Sequence, residues 1–200
     1  MCQCFLSDTR FYQLLFRIDR SIAEEERKAG CSCGGVLHSA RYPRKPRGCR
    51  SALDESYDYR LSFCCAEDGC RRRRTPPSVR FLGRKVYLSV IVVLTTALQH
   101  GLTEKRRQRL LEMLDIAPQT MVRWRRFWRE VFPQSRCWQA ERGRLMPPVE
   151  ITKLPGELLG RFIGETLSER LSQLLVLICP VTTCSSHFLR VEIDPQKMRS

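Results

Sequence analysis

The sequence predicts a mainly α protein that carries one small β unit near its N-terminus. Three observations predict it. Apolar residues recur at helical spacing over residues 9–29 and again beyond residue 83. Residues 30–70 lack that period and contain Gly34, Gly35, Pro43, Pro46 and Gly48. Cysteines gather at two places within that aperiodic stretch, Cys31-Ser32-Cys33 and Cys64-Cys65 with Cys70.

Each element follows from local signals. Phe11, Leu14, Leu15, Ile18 and Ile22 share one face of a first helix, which Gly30 ends. Short strands and turns are expected over 30–70, with a strand at Leu61–Cys65, and Thr75-Pro76-Pro77-Ser78 breaks the chain after an arginine run. A helix is expected from Gly83 to His100, a second from an N-cap at Thr103 to Asp115, and a third from Pro118 to Phe132. Arg142–Pro155 reads as a loop and Gly156–Cys179 as one or two helices, stopped by Pro180. The organisation expected is an N-terminal helix (1–29), a β unit (30–82), a helical pair (83–133) and C-terminal loop and helices (134–200).

Charge narrows the partners. The 200 residues hold 35 Lys and Arg against 21 Asp and Glu, a formal net charge of +14, and 42% are hydrophobic. Such a chain has enough apolar residues for a core and favours a polyanionic partner. The excess is local: residues 41–50 carry five basic and no acidic residues, and 71–85 carry seven and none. A face that only keeps a protein in solution mixes both signs. One long uncharged stretch, Val86–Thr103, turns polar after Leu98 and is too short to span a bilayer, which needs about 20 apolar residues. The N-terminus lacks the pattern of a secretory signal, so a reducing, cytoplasmic setting is expected, nucleoid-associated if the chain binds DNA.

Eleven cysteines in that setting point to metal rather than disulfides. Zinc takes four thiolate or imidazole ligands as a tetrahedron, often from two paired turns. Cys31, Cys33, Cys65 and Cys70 are the preferred set, with His38 and Cys64 as alternative ligands, and Gly34, Gly35 and Gly69 leave room for backbone amides near the sulfurs. The β unit therefore reads as a zinc ribbon with structural Zn2+: four protein ligands leave no open position for water. The gaps are unusual, one residue in the first pair and four or five in the second.

Thr103–Phe132 reads as a helix-turn-helix. Leu110, Leu111 and Leu114 face inward, Ile116 plugs the turn, and Asp115 takes the place often held by glycine, since Asp tolerates the left-handed conformation. Met121, Val122, Trp124, Phe127 and Trp128 are the apolar positions of the following helix. Gln119, Thr120 and Arg123 at its start suit base edges in a major groove, and Arg125, Arg126 and Arg129 suit phosphates. Arg71, Arg72, Arg73, Arg74, Arg80, Arg84 and Lys85 form a second expected set of phosphate contacts.

The string FCCAEDGCRRRRTPPSVRFLGRKVYL resembles the zinc-ribbon segment of insertion-sequence transposases. Over about Arg10–Pro180 the chain is similar to short bacterial transposase-related proteins, through CGGVLHSARYPRKPRG, LSFCC, RRTPPSVRFLGRKVYL, TMVRWRRFWREVF and MPPVEITKLPGELLGRF. The resemblance implies association with DNA and not strand transfer. Transposases of this kind add a ribonuclease-H-like domain with three separated carboxylates on two metals, whereas the residues after Phe132 read as helix and loop. No Cys-x-x-Cys pair and no nucleophile–base constellation stands out, so no enzyme is expected. RNA is the alternative partner, and a homodimer is left open.

Overall fold

The computed structural model describes residues 8–44, 46, 53–82, 87–98 and 103–183. It is mainly helical, with a small β region that contains the cysteine cluster. Helix α1 spans Thr9–Lys28, and Asp8 caps it by accepting from the amides of Arg10 and Phe11. Its buried face is Phe11, Tyr12, Leu15, Asp19, Ile22, Ala23 and Glu26. The apolar stripe expected from the sequence is thus interrupted by two carboxylates, and both prove to be partnered.

Two short antiparallel sheets follow. Strands β1 (Leu37–Ser39), β4 (Phe63–Cys65) and β5 (Arg73–Arg74) form one sheet in the order β1-β4-β5, and β2 (Tyr42–Pro43) pairs with β3 (Tyr59–Arg60). The register sets Leu37 opposite Cys65 and His38 opposite Cys64, and β5 adds Arg73 opposite Cys64. Side chains directly opposite one another share a face. Leu37 and Cys65 therefore point into a small core with Ala23, Cys31 and Phe63, while His38, Cys64 and Arg73 line the outer face.

Behind the sheets, α1 is tied to the remainder by buried polar bonds. Asp19 accepts from Ser78 Oγ at 2.6 Å, from the Val79 amide at 2.6 Å and from Arg80 Nε at 2.7 Å. Tyr57 donates its hydroxyl to the Tyr12 carbonyl at 2.8 Å. Arg60 reaches the Pro76 carbonyl at 3.0 Å and Thr182 Oγ1 at 3.2 Å, which in turn accepts from the Ser78 amide. Residues far apart in sequence are thereby joined at one point.

The helices build the larger core. They are α2 (Ser89–Ala97), α3 (Glu104–Met113), α4 (Pro118–Arg126), α5 (Arg136–Glu141), α6 (Gly156–Arg161) and α7 (Leu167–Ile178). Helix α2 is buried from Ser89 to Thr96 and packs on α4, α6 and α7. It begins later than the sequence predicts. Phe81 and Leu88 bridge as paired extended residues, and the Ser89 amide donates to Arg80 O, so the helix starts only after Leu88. No helix among the described residues is long and apolar enough to cross a membrane.

Helix α4 opens at Pro118, as expected, after Ala117, whose side chain makes no cap. It does not remain α-helical to Phe132. Residues Phe127–Val131 widen into a π turn in which the Phe132 amide bonds Phe127 O, and Pro133, lacking an N–H, ends the ladder. Trp128, Phe132 and Trp138 meet there edge-to-face and tilted, with ring centroids 5.0 and 5.3 Å apart. All three tryptophans, Trp124, Trp128 and Trp138, are core residues. Helix α5 lies where the sequence shows no helical period; Ser135 caps it through the Trp138 amide. The expected loop at Arg142–Pro155 contains two single 3-10 turns, and two helices, α6 and α7, occupy the segment that ends at Pro180.

Candidate metal centre and basic surfaces

The four preferred cysteines come together. Cys31, Cys33, Cys65 and Cys70 present sulfurs that all lie within 4.8 Å of one another. Cys31 Sγ is 3.7 Å from Cys70 Sγ, and Cys33 Sγ is 3.5 Å from Cys65 Sγ. A tetrahedron with Zn–S bonds of about 2.3 Å has sulfurs about 3.8 Å apart. The spacing and the all-thiol donor set are consistent with a bound Zn2+ ion.

Two turns hold the ligands. The first closes when the Cys31 amide donates to Gly35 O at 3.0 Å and the Gly34 amide donates to Cys31 O at 2.9 Å. Gly34 has φ +87°, a conformation that L side chains rarely adopt. This tight loop is how a one-residue gap still yields two ligands. At Gly35 a β-carbon would lie 2.8 Å from Cys65 Sγ and 2.5 Å from Glu67 Cγ, so only glycine leaves the sulfur its place. The second turn spans a wider gap. The amides of Cys70 and Arg71 both donate to Glu67 O, and Arg71, at φ +44°, swings the chain back into β5.

The thiols are electrostatically unequal. The backbone of Cys33 is the main cause that brings Cys31 down to about 6. At Cys65 the backbone of Glu67 lowers the value, but desolvation and the neighbouring sulfurs outweigh it and push the thiol up to about 12. Cys70 is also raised: its hydrogen bond to the backbone of Arg72 lowers it, and Cys33, desolvation and Cys31 together prevail. A cation shared by the four sulfurs removes this conflict by stabilising every thiolate at once.

Neither His38 nor Cys64 belongs to the cluster. His38 is exposed on the outer face, and Cys64 Sγ contacts Arg71 O at 3.4 Å on the same side. Cys137 and Cys179 are buried in the helical part, and burial raises both thiols, Cys137 to about 11. Cys2, Cys4, Cys49 and Cys184 lie outside the described residues.

The basic residues divide more sharply than their sequence suggests. Arg71, Arg72 and Arg73 are exposed; Arg71 pairs with Asp68, and Arg72 Nη1 donates to Ser32 Oγ at 2.8 Å. Strand alternation turns Arg74 the other way, half-buried between Gly30 O at 3.2 Å and Glu26 at 3.5 Å. The expectation of a phosphate contact at Arg80 is corrected. Its side chain is enclosed at 1% exposure, stacked among Phe16, Tyr57 and Phe81 and bonded to Asp19, with no path to a ligand. Arg84 and Lys85 lie outside the described residues.

On α4 the inner face is Met121 and Trp124, continued by Trp128. Gln119, Arg123 and Arg126 are exposed together with Val122, at 58%, although the sequence pattern groups Val122 with the core. Thr120 and Arg125 are half-buried at the margin. Desolvation lowers the Arg125 pKa, helped by Arg107 and Arg129. Arg126 donates from Nε to Glu130 at 2.7 Å. Asp115 stands in the turn at φ +50°, and Ile116 is buried beneath it. Compared with protein-family models, curated proteins and solved structures, the chain matches none.

Proposed function

We propose that this chain is a zinc-dependent DNA-binding protein related to the recognition part of insertion-sequence transposases, without a catalytic domain. One observation carries the reading: the division of α4 into a docked face and a free one. Met121 and Trp124 anchor the helix, and Gln119, Val122, Arg123 and Arg126 form a continuous outward stripe. A rigidly held helix with Gln and Arg near its N-terminus has the chemistry of major-groove readout, in which Arg pairs with guanine and Gln with adenine. The turn over residues 114–117, with a left-handed Asp115 and a buried Ile116, supports a helix-turn-helix. In this reading zinc organises the ribbon, Arg71, Arg72 and Arg73 contact phosphates, and no step of chemistry is performed.

The test is selection of duplex DNA from a random pool by the zinc-loaded protein, repeated across salt. One enriched motif with a steep salt slope is expected. Arg123→Ala is expected to flatten the motif, and Arg72→Ala to weaken all duplexes alike. Equal losses on selected and random DNA for Arg123→Ala overturn the base-reading helix. Preference for structured RNA over duplex DNA overturns the DNA assignment.

A further inference from the structure

Strands β2 and β5 bring two arginines onto one tyrosine. Tyr42 is 44% exposed, and its ring centroid lies 4.9 Å from Arg44 Cζ and 5.7 Å from Arg73 Cζ. Arg44 is Tyr42's near neighbour, whereas Arg73 is thirty-one positions from it in sequence and reaches it only through the fold. Arg73 is the outward end of the row His38–Cys64–Arg73 across β1, β4 and β5, the sheet whose turns hold the four cysteines. On the opposite face of the β2–β3 pair, Arg41 lies over Tyr59, with Cζ 4.5 Å from the ring centroid. Among the described residues, neither Arg41 nor Arg73 has a carboxylate within ion-pair distance.

We propose that Arg44, Tyr42 and Arg73 form a phosphate clamp for a nucleic-acid backbone on the outer face of the ribbon. The ring's quadrupole attracts each guanidinium and limits its rotation. Guanidinium forks donate to phosphate oxygens in pairs, so two arginines held on one ring suit a phosphodiester. This surface uses residues other than the α4 stripe and holds whether or not that helix reads bases.

The test uses the zinc-loaded full chain, with duplex DNA and duplex RNA of one sequence titrated by fluorescence anisotropy across salt. Tyr42→Ala removes no charge, yet it is expected to weaken binding roughly three- to tenfold by releasing the two arginines, and Tyr42→Phe is expected to bind as wild type. Arg44→Gln and Arg73→Gln are each expected to lower the salt slope by about one and to leave any selected motif unchanged. Wild-type affinity in Tyr42→Ala with zinc content intact, or unchanged slopes in both arginine variants, overturns the clamp. If Tyr42→Ala loses zinc or its fold, the arginine variants decide alone. A weakened Tyr42→Ala in a protein that selects no motif leaves the clamp standing and overturns base reading by α4. Absence of binding to either duplex overturns both. The duplex that loses more on mutation identifies the nucleic acid the clamp serves.

Discussion

Arg80 donates from Nε to Asp19 Oδ2 at 2.7 Å, and both side chains are sealed from solvent. Ser78 Oγ and the Val79 amide complete the carboxylate, and the Ser56 and Tyr59 carbonyls accept from the guanidinium. This pair joins α1 to the segment that leads into the helical core. Removing one partner strands a buried charge, which costs about 3–5 kcal/mol. Asp19→Ala and Arg80→Ala are expected to lose that much in urea unfolding. Replacing both residues with apolar side chains is expected to recover part of it. An Arg80→Ala protein of wild-type stability with weakened DNA binding would restore the role this arginine has in the sequence-based reading.

Gly35 governs the metal centre through space rather than flexibility. A methyl group there collides with Cys65 Sγ and with Glu67 Cγ. Gly35→Ala is therefore expected to lower zinc affinity about 10- to 100-fold, the range seen when groups supporting a ligand are altered. Competition with a chromophoric chelator measures this directly. Gly69→Ala, where a β-carbon meets nothing within 4 Å, is the matched control and is expected to bind zinc normally.

The cysteine cluster was legible in the sequence because cysteine spacing and adjacent glycines carry information at short range. So was the buried plug at Ile116, and so was the start of α4 at Pro118. Arg80 was not legible: its partner Asp19 is sixty-one residues away, and nothing local distinguishes a buried arginine from the exposed Arg72 or Arg73. The same holds for Arg74, whose inward direction follows from its pairing with Phe63. Val122 was misgrouped because the core-facing arc of α4 is narrow, fixed by Met121 and Trp124 alone. The π turn at Phe127–Val131 follows from packing of the aromatic cluster, which periodicity does not encode.

Thiol chemistry separates the cysteines. In zinc-loaded protein, Cys64 is the described cysteine outside the cluster that is not buried, whereas Cys137 and Cys179 are buried with raised pKa values. A raised value keeps a thiol protonated, and therefore unreactive, at every pH below it; for Cys137 that means up to about 11. Alkylation at pH 8 followed by peptide mapping is expected to label Cys64 rapidly and to spare Cys137 and Cys179. Addition of a chelator is expected to expose Cys31, Cys33, Cys65 and Cys70 together. Labelling of those four at the same rate before and after chelation would remove the metal centre.

Asp115 stores a small strain at the turn between α3 and α4. Its φ of +50° lies in the left-handed region, where most L residues are disfavoured by about 1–2 kcal/mol and Asp by less. Its amide donates to Glu112 O at 3.2 Å, and the next amide, that of Ile116, donates to Leu111 O at 2.9 Å, so the conformation is needed to end α3 and seat Ile116. Glycine adopts it without a steric penalty but loses more freedom on folding. Asp115→Gly is therefore expected to raise stability by up to about 1 kcal/mol. Asp115→Val, β-branched and without a polar side chain, is expected to lower it by a similar amount or more. Thermal unfolding of the two variants measures the difference. Equal stability of glycine and valine at this position would mean that the turn relaxes to another conformation, and α4 would then lose the fixed orientation on which a base-reading role depends.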